Sequence, residues 1–392
     1  MSRQLIDHSP DLKRLRDEGF DIKVKGGYLF IHHIPYVNNS KEIKKGIMVS
    51  NLDLISDTRT APPSNHVMFF IGDHPCNKDG SIMTGIQHSS QNQDLGEGII
   101  INHSFSNKPP NGYPDYYQKV TRYASMISAP VKSLDNSQTE KPFNIISDED
   151  SESVFQYLDT NSSRANINNL NTKFAGQKVA IIGLGGTGSY ILDLVAKTPV
   201  QEIHLFDGDI YLQHNAFRSP GAPSGEQLDT KMMKVNYFGS IYSKMHKFVL
   251  THPYYISEET IHELNSMSFI FICVDKDGVR KTLMDHLLLT NIPFIDVGLG
   301  ITLVEDALIG AVRVTTGTTD KNDHLVKRIP VNNQGNEDYS SNIQIADLNS
   351  LNATLAVIKW KKMCGFYQDL RNEYHSTYSI NVGHLNNEEI AT

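Results

Sequence analysis

The stretch KVAIIGLGGTGSYILDLVAKTPVQEIHLFDGD, residues 178–209, constrains the fold more than any other part of this chain of 392 residues. It predicts a buried strand, a glycine-rich turn, a helix and a second strand that ends in acid. Such a turn brings the backbone close to phosphate groups, and the helix that follows offers free N–H groups and the positive end of its dipole. The stretch therefore predicts a nucleotide-binding unit, for a dinucleotide or for ATP. Its glycines fit G-x-G-x-x-G with one addition: Gly183, Gly185, Gly186 and Gly188.

The residues after this unit alternate between apolar strands and amphipathic helices. Uninterrupted runs such as FIFICV predict parallel strands that are covered on both faces of a sheet. Antiparallel strands are predicted at 302–306 and 308–315, a polar loop at 316–342 and a last helix at 347–362. The predicted fold class is therefore α/β, with a Rossmann-like, mostly parallel sheet preceded by a smaller α+β domain.

A change in composition separates these two parts. Residues 136–172 are rich in Asn, Ser, Asp and Glu, and one short helix is expected there, around 152–158. We therefore predict an N-terminal α+β accessory domain at 1–135, a polar linker at 136–172 and a nucleotide-binding domain at 173–392.

Composition and charge exclude several classes of protein. The net charge of -8 and the pI near 6.0 give no reason to expect a nucleic-acid partner. No apolar run is long enough to span a bilayer, and the charged first residues do not look like a signal peptide. The three cysteines form no CxxC pair, which argues against disulfides and against structural zinc. A cytoplasmic enzyme that does not act at a membrane is the simplest interpretation.

Polar residues after the later strands distinguish the two nucleotides. Asp207 can accept ribose hydroxyl groups in either case. Asn215 and Arg218 follow it, and Lys231 comes next; a triphosphate needs such cations, whereas hydride transfer does not. Asp275 ends another strand, in a position to hold Mg²⁺ between phosphates. The pattern therefore favours ATP and disfavours a nicotinamide-dependent oxidoreductase.

In this order and spacing, the motifs resemble those of the ThiF/MoeB/ubiquitin-activating enzyme (E1-like) family over residues 174–364. The resemblance implies an adenylyltransferase (nucleotidyltransferase) that uses ATP and Mg²⁺ to activate the C-terminal carboxylate of a ubiquitin-like or sulfur-carrier protein. It implies that the four glycines line the phosphates and that Asp207 binds the ribose. It also implies that Asn215, Arg218 and Lys231 contact phosphates and that Asp275 holds Mg²⁺.

The same resemblance implies a homodimer, in which Arg164 corresponds to an arginine that enters the partner's site. The chain departs from many relatives, because its loop at 316–342 contains neither a cysteine nor zinc-binding CxxC pairs. We therefore predict adenylation without a thioester in that loop, and no zinc. Cys273 and Cys364 are interpreted as core residues. The acyl group would pass directly to an acceptor or to a separate conjugating-type protein.

The N-terminal stretch TAPPSNHVMFFIGDHPCNKDGSI faintly resembles part of the ubiquitin-conjugating (UBC-like) domains. In that family the catalytic cysteine follows the final Ile, where this chain has Met83, and an Asn stands where this chain has Cys76. The resemblance implies an inactive conjugating-type domain that binds a partner. Cys76 is left with two interpretations, a nucleophile or a buried thiol.

Two other functions remain open. The first is a relative that adenylates a short peptide, with the N-terminal domain holding that peptide. The second is a nucleotide-binding module without turnover, which the combination of Arg218, Lys231 and Asp275 disfavours.

Overall fold

The computed structural model describes residues 2–96, 98–146, 153–330 and 343–390. The chain forms two compact units. The N-terminal unit comprises Met1–Ile146 and Thr160–Ala165, and the C-terminal unit comprises the remaining residues. The polar stretch 136–172 contributes residues to both units. The predicted fold class is confirmed, because the C-terminal unit holds a mixed, mostly parallel sheet and the N-terminal unit a separate antiparallel one.

The N-terminal unit is built on a six-stranded antiparallel sheet in the order β1-β2-β3-β6-β10-β7, with two small two-stranded sheets, β4-β5 and β8-β9. Its strands are β1 (Asp21–Lys25), β2 (Tyr28–Val37), β3 (Ile43–Asn51), β4 (Leu54–Ser56), β5 (Arg59–Thr60), β6 (Val67–Ile71), β7 (Gln87–Ser89), β8 (Gln93–Asp94), β9 (Ile100–Ile101) and β10 (His103–Ser106). Its helices are α1 (Ser2–His8), α2 (Pro10–Asp17), α3 (Tyr116–Leu134) and α4 (Thr160–Arg164).

The long helix α3 covers one face of this sheet. It starts at the N-cap Asp115, whose carboxylate accepts the Gln118 N–H at 2.7 Å. Because its apolar residues recur at helical spacing, one face of α3 packs into the core. The buried residues of that face are Val120, Tyr123, Ala124, Ile127 and Val131.

The C-terminal unit is built on an eight-stranded sheet in the order β13-β12-β11-β14-β15-β16-β17-β18. Its strands are β11 (Lys178–Ile182), β12 (Glu202–Phe206), β13 (Val249–His252), β14 (Phe269–Ile272), β15 (Phe294–Val304), β16 (Ala307–Gly317), β17 (Glu373–Ser379) and β18 (His384–Ile390). Its helices are α5 (Asn168–Asn171), α6 (Gly186–Val195), α7 (Gln213–Ala216), α8 (Gly225–Asp229), α9 (Lys234–Tyr242), α10 (Asp277–Leu289), α11 (Leu325–Arg328) and α12 (Ala346–Met363).

The strand order places a crevice at the end of β11. This strand is parallel to β12 on one side and to β14 on the other, so the chain reverses its direction of travel across the sheet there. Open α/β sheets bind ligands at such a switch point, beyond the carboxyl ends of the strands. The glycine turn, Asp207 and Asp275 all follow strand ends in this region.

Both faces of the parallel strands are buried, which explains their uninterrupted apolar sequences. One face packs against residues of α6, α9 and α12, and the other against residues of α10. The core on the first face joins Val179, Ile181, Leu205 and Phe271 of the strands to Trp360 of α12. The core on the second face joins Ala180, Ile182 and Ile272 of the strands to Leu283 and Leu287 of α10.

Two local predictions need correction. The helix predicted at 152–158 is wrong over the described residues 153–158, where Phe155 forms an isolated bridge with His246; the helix begins at Thr160. The sheet also continues into β17 and β18, which the sequence did not predict. Among the described residues, no helix is both long and apolar enough to cross a membrane.

Candidate functional site

The glycine-rich turn lies between the end of β11 and the start of α6. Gly183 has a φ of +91°, a conformation that residues with side chains rarely adopt. A Cβ atom there would lie 2.7 Å from the Cys273 carbonyl oxygen, and one on Gly188 would lie 1.9 Å from the Gly183 carbonyl oxygen. The packing of the turn against β14 and α6 therefore requires these two glycines.

Gly185 has a different surrounding. It is the N-cap of α6, and no described side chain forms a capping hydrogen bond there. A Cβ atom on Gly185 would meet nothing within 4 Å. Open space therefore lies beside the N-terminus of a helix whose first N–H groups need acceptors. This is the arrangement in which helix N-termini bind phosphate.

Asn349 of α12 packs on the same turn and was not predicted. Its Oδ1 accepts a hydrogen bond from the Thr187 hydroxyl at 3.0 Å, and its Nδ2 donates to the Arg218 carbonyl at 3.3 Å. The residue is buried, and a Cβ atom on Gly186 would lie 2.0 Å from its Nδ2. Asn349 therefore joins the glycine turn to the segment that carries Arg218.

Arg218 lies just after α7, and its backbone N–H donates to the Asn215 carbonyl at 3.1 Å. The Nε atom of Arg218 is buried without a hydrogen-bond partner among the described residues. A buried guanidinium N–H without an acceptor is unfavourable, and a bound anion would supply one. Asn215 is buried as well, and its Oδ1 accepts the Leu212 N–H at 2.8 Å, which closes the first turn of α7.

Asp207 directly follows β12, and its side chain is buried. One carboxylate oxygen accepts the Leu184 N–H of the glycine turn at 2.6 Å, and the other accepts the Asp209 N–H at 2.8 Å. Burial raises the pKa of Asp207, and the positive charge of Lys234 opposes that rise. Asp207 thus holds the turn against the end of β12, and its contact with ribose stays a prediction.

The cation beside this strand end is Lys234, the first residue of α9. Its Nζ lies 2.6 Å from Asp209 and 3.8 Å from Asp207, and the residue is buried. Lys231, which the sequence analysis expects at the phosphates, lies in an exposed turn with a φ of +50°. Its side chain forms no ion pair with any residue in the described part of the chain. The structure therefore brings Lys234 to the acidic strand end, and a phosphate contact by Lys231 stays a prediction.

Tyr255 packs beside the backbone that follows β12. A Cβ atom on Gly208 would lie 2.8 Å from its ring, so glycine at that position lets the ring pack on the backbone after β12. The Tyr255 hydroxyl donates to Asp209, and this bond raises the pKa of the tyrosine to about 12. The Lys276 Nζ lies 5.3 Å from the centre of the ring. Tyr255 therefore links the end of β12 to the segment that follows β14.

Asp275 lies in that segment and is exposed. Its carboxylate forms no ion pair with a described residue. The described ranges contain no cluster of three or more His, Cys, Asp or Glu side chains that could hold a metal. Mg²⁺ in nucleotide sites uses one or two carboxylates, while phosphates and water supply the other ligands. The exposed Asp275 fits that mode of binding.

Arg280, one turn into α10, points back towards the sheet. Its Nε lies 3.0 Å from the carboxylate of Asp296, and its Nη2 donates to the Val274 carbonyl at 2.6 Å. Asp296 is fully buried, and its carboxylate also lies 2.6 Å from the Nη2 of Arg313. These bonds fix the backbone that leads to Asp275.

Arg164, at the end of α4, belongs to the N-terminal unit. Its guanidinium donates to the Asp17 carbonyl of the same unit. The predicted role of Arg164 in the site of a partner subunit stays a prediction.

The cysteines are not arranged for nucleophilic chemistry. Cys76 is fully buried and forms isolated bridges with Val37, the last residue of β2, and with Ile82. Burial raises the pKa of the Cys76, Cys273 and Cys364 thiols, so the reactive thiolate is disfavoured at each. This favours the interpretation of Cys76 as a buried thiol.

Comparison with known families gives two matches, to adjacent segments of the chain. The ThiF family matches residues 161–336, and a domain of unknown function (DUF6791) matches residues 10–160. The chain therefore contains a ThiF-family domain, as the sequence motifs predict.

Several solved structures are similar to part of this chain. A structure of Escherichia coli MccB with succinimide is 17% identical over 56% of this chain and 66% of its own, with a TM-score of 0.44. E. coli MccB with ATP is 18% identical over 59% of this chain and 71% of its own, with a TM-score of 0.46. Selenomethionine PaaA is 15% identical over 87% of this chain and 98% of its own, with a TM-score of 0.47. The chain thus covers about two thirds of the length of the MccB structures. A search of curated protein sequences found no match.

Proposed function

We propose that the C-terminal unit is an ATP- and Mg²⁺-dependent adenylyltransferase that activates the C-terminal carboxylate of a ubiquitin-like or sulfur-carrier protein. The observation that carries this proposal is the buried Arg218 Nε, which lacks an acceptor among the described residues. Asn349 ties its segment to the glycine turn, where open space lies beside the N-terminus of α6. An anionic group bound between them would satisfy both sets of donors.

In the proposed reaction, a carboxylate oxygen of the carrier attacks the α-phosphorus of ATP. A new bond forms between that oxygen and phosphorus, the bond to the oxygen bridging to the β-phosphorus breaks, and pyrophosphate leaves with its electron pair. Arg218 and the N-terminus of α6 would stabilise the phosphate charge, with Lys234 beside them. Asp275 would hold Mg²⁺, which when bound neutralises charge on the departing pyrophosphate.

The proposal includes no thioester on this chain. Burial raises the pKa of all three thiols, and the sequence of residues 316–342 contains no cysteine. The acyl-adenylate would therefore react directly with an acceptor or with a thiol of a separate conjugating-type protein. A homodimer is also part of the proposal, on the basis of the family resemblance, and analytical ultracentrifugation of the purified protein tests it.

ATP–pyrophosphate exchange tests the substrate. The purified protein is incubated with ATP, Mg²⁺ and labelled pyrophosphate, together with a ubiquitin-like protein that ends in Gly-Gly, a short peptide or no acceptor. We expect label to enter ATP only with the ubiquitin-like protein, and not with the same protein lacking its last two residues. Exchange with the short peptide alone would favour the peptide-adenylating alternative. ATP binding without exchange under any condition would favour a binding module without turnover.

A further inference from the structure

The N-terminal unit carries a groove that adenylation does not explain. It lies between the first turns of α3 and the loop at residues 107–113, and its volume is about 680 Å³. Lys108 lines one side and Arg122 lies on the helix, whereas no carboxylate lines the groove. Neither cation forms an ion pair with a residue in the described part of the chain. In a protein with a net charge of -8, these two side chains form a local positive site with which no carboxylate of the described residues is paired.

The wall of the groove is held in place by buried tyrosines. The Asn107 N–H donates to the Tyr123 hydroxyl at 2.5 Å, and the Tyr113 hydroxyl donates to the Asn107 carbonyl at 3.0 Å. Both tyrosines are buried. Pro109 and Pro110 restrict the loop further, because proline fixes φ. The loop is therefore ordered before any ligand binds, which lowers the entropy lost on binding.

From these observations we propose that the groove binds an extended, acidic segment of a partner protein. Lys108 and Arg122 supply charge-assisted hydrogen bonds to carboxylates on the segment. On the helix side of the groove, the exposed side chains of Gln118 and Ser125 present donors and acceptors that can pair with an extended peptide backbone, while the Thr121 hydroxyl donates to the Tyr117 carbonyl within α3. A polynucleotide fits less well, because its regularly spaced phosphates need a longer row of cations than the two that line the groove. This inference is independent of the adenylation chemistry.

Fluorescence anisotropy with the full-length protein tests the groove. The probe is a short fluorescein-labelled poly-glutamate peptide, compared with poly-glutamine and with single-stranded DNA that carry the same label. We expect the poly-glutamate peptide to bind and the poly-glutamine peptide not to bind. The charge-reversed variant Lys108→Glu/Arg122→Glu should raise the Kd for poly-glutamate roughly ten-fold or more, because two charged partners are lost.

Two further variants keep the result specific to the groove. Lys45→Glu/Arg59→Glu makes the same change of net charge at exposed residues elsewhere on the unit, and we expect its Kd to match that of the wild type. Ser125→Trp narrows the groove at an exposed position without changing the charge, and we expect it to weaken binding as well. Circular dichroism confirms that each variant is folded.

Three results would overturn the proposal. The first is the absence of poly-glutamate binding to the wild type. The second is an equal loss of affinity in the two charge-reversed variants, which would show attraction by overall charge rather than by the groove. The third is tighter binding of DNA that depends on Lys108 and Arg122, which would assign the groove to a nucleic acid.

Discussion

The Lys234 Nζ lies 2.6 Å from the carboxylate of Asp209, and Tyr255 donates its hydroxyl to the same carboxylate. This contact places one buried positive charge at the end of β12, between the two acids of the FDGD segment. Burial alone would raise the pKa of Asp209, but the hydrogen bonds from Lys234 and Tyr255 hold this pKa below its usual value. The acid is therefore ionised at neutral pH, and Lys234 is fixed beside the crevice.

Replacing Lys234 should weaken ATP binding more than replacing Lys231. We expect Lys234→Met to raise the Kd for ATP roughly ten-fold or more, since a charged partner of the phosphates is lost. Lys231→Met removes the same charge from an exposed turn and should change the Kd less than about two-fold. Isothermal titration calorimetry with ATP and Mg²⁺ measures both variants. A larger increase in Kd for Lys231→Met than for Lys234→Met would assign the phosphate contact to Lys231 instead.

The buried Asp296 should be necessary for stability. Asp296 is fully buried and forms ion pairs with Arg280 and Arg313. The substitution Asp296→Asn therefore leaves two guanidinium groups without their shared counter-charge. We expect the free energy of unfolding to fall by about 3 kcal/mol or more. Urea denaturation measures the change. The exposed pair Lys281–Asp285 on α10 provides a control, because Lys281→Met should cost at most about 0.5 kcal/mol. Similar costs for the two variants would contradict this account.

His375 should make stability fall in mild acid. It is buried against Thr315, and burial together with the charges of Arg328 and Arg313 lowers its pKa to about 4. In the unfolded chain the pKa of histidine is about 6.5, so the unfolded state takes up the proton first as the pH falls.

The contribution of the neutral His375 to the free energy of unfolding is therefore complete above about pH 6.5. It is lost as the pH falls from about 6.5 to 4, and the total loss is about 3 kcal/mol. Glu388 and His324 also act on this histidine and remain in place in a His375→Gln variant. Urea denaturation of both proteins across this range gives the difference. We expect the wild type to lose more stability than His375→Gln as the pH falls, whereas parallel curves would contradict the assignment.

The three cysteines should be dispensable for adenylate formation. Their thiols have raised pKa values because they are buried. A variant with Cys76, Cys273 and Cys364 replaced by Ala should retain ATP–pyrophosphate exchange, provided that its circular dichroism matches the wild type. Thiol titration with Ellman's reagent at pH 8 should be slow in the native protein and fast in urea. An adduct between the protein and the carrier that thiols cleave, and that is lost when one particular cysteine is replaced, would contradict the absence of a thioester.

The sequence predicts the central β11–α6–β12 unit well for a physical reason. Its strands are buried on both faces, so their apolar runs are uninterrupted, and its glycines are required by close backbone contacts. The strands β17 and β18 escape prediction because they extend the sheet at its edge. Their sequences, EYHSTYS and HLNNEEI, are polar, and much of β18 is exposed.

The residues of the site are harder to predict because they depend on long-range packing. Asn349 reaches the glycine turn from a helix far along the chain, and its neighbours in sequence do not reveal that contact. The choice between Lys231 and Lys234 depends on where α9 begins, and helix boundaries are the least certain part of a sequence-based prediction. The groove beside Lys108 and Arg122 likewise becomes visible only once α3 and the loop at 107–113 are folded together.

The most direct test of the central claim is ATP–pyrophosphate exchange by the wild type and by Asp275→Ala, each with a ubiquitin-like protein that ends in Gly-Gly. Asp275 is exposed and without an ion-pair partner among the described residues, so the substitution should change the free energy of unfolding by less than about 0.5 kcal/mol. We predict carrier-dependent exchange by the wild type and a loss of about a hundred-fold or more in the folded variant. Equal exchange by the two proteins would contradict the assignment of Asp275 to Mg²⁺, and no exchange by the wild type with any carrier or peptide would contradict adenylation itself.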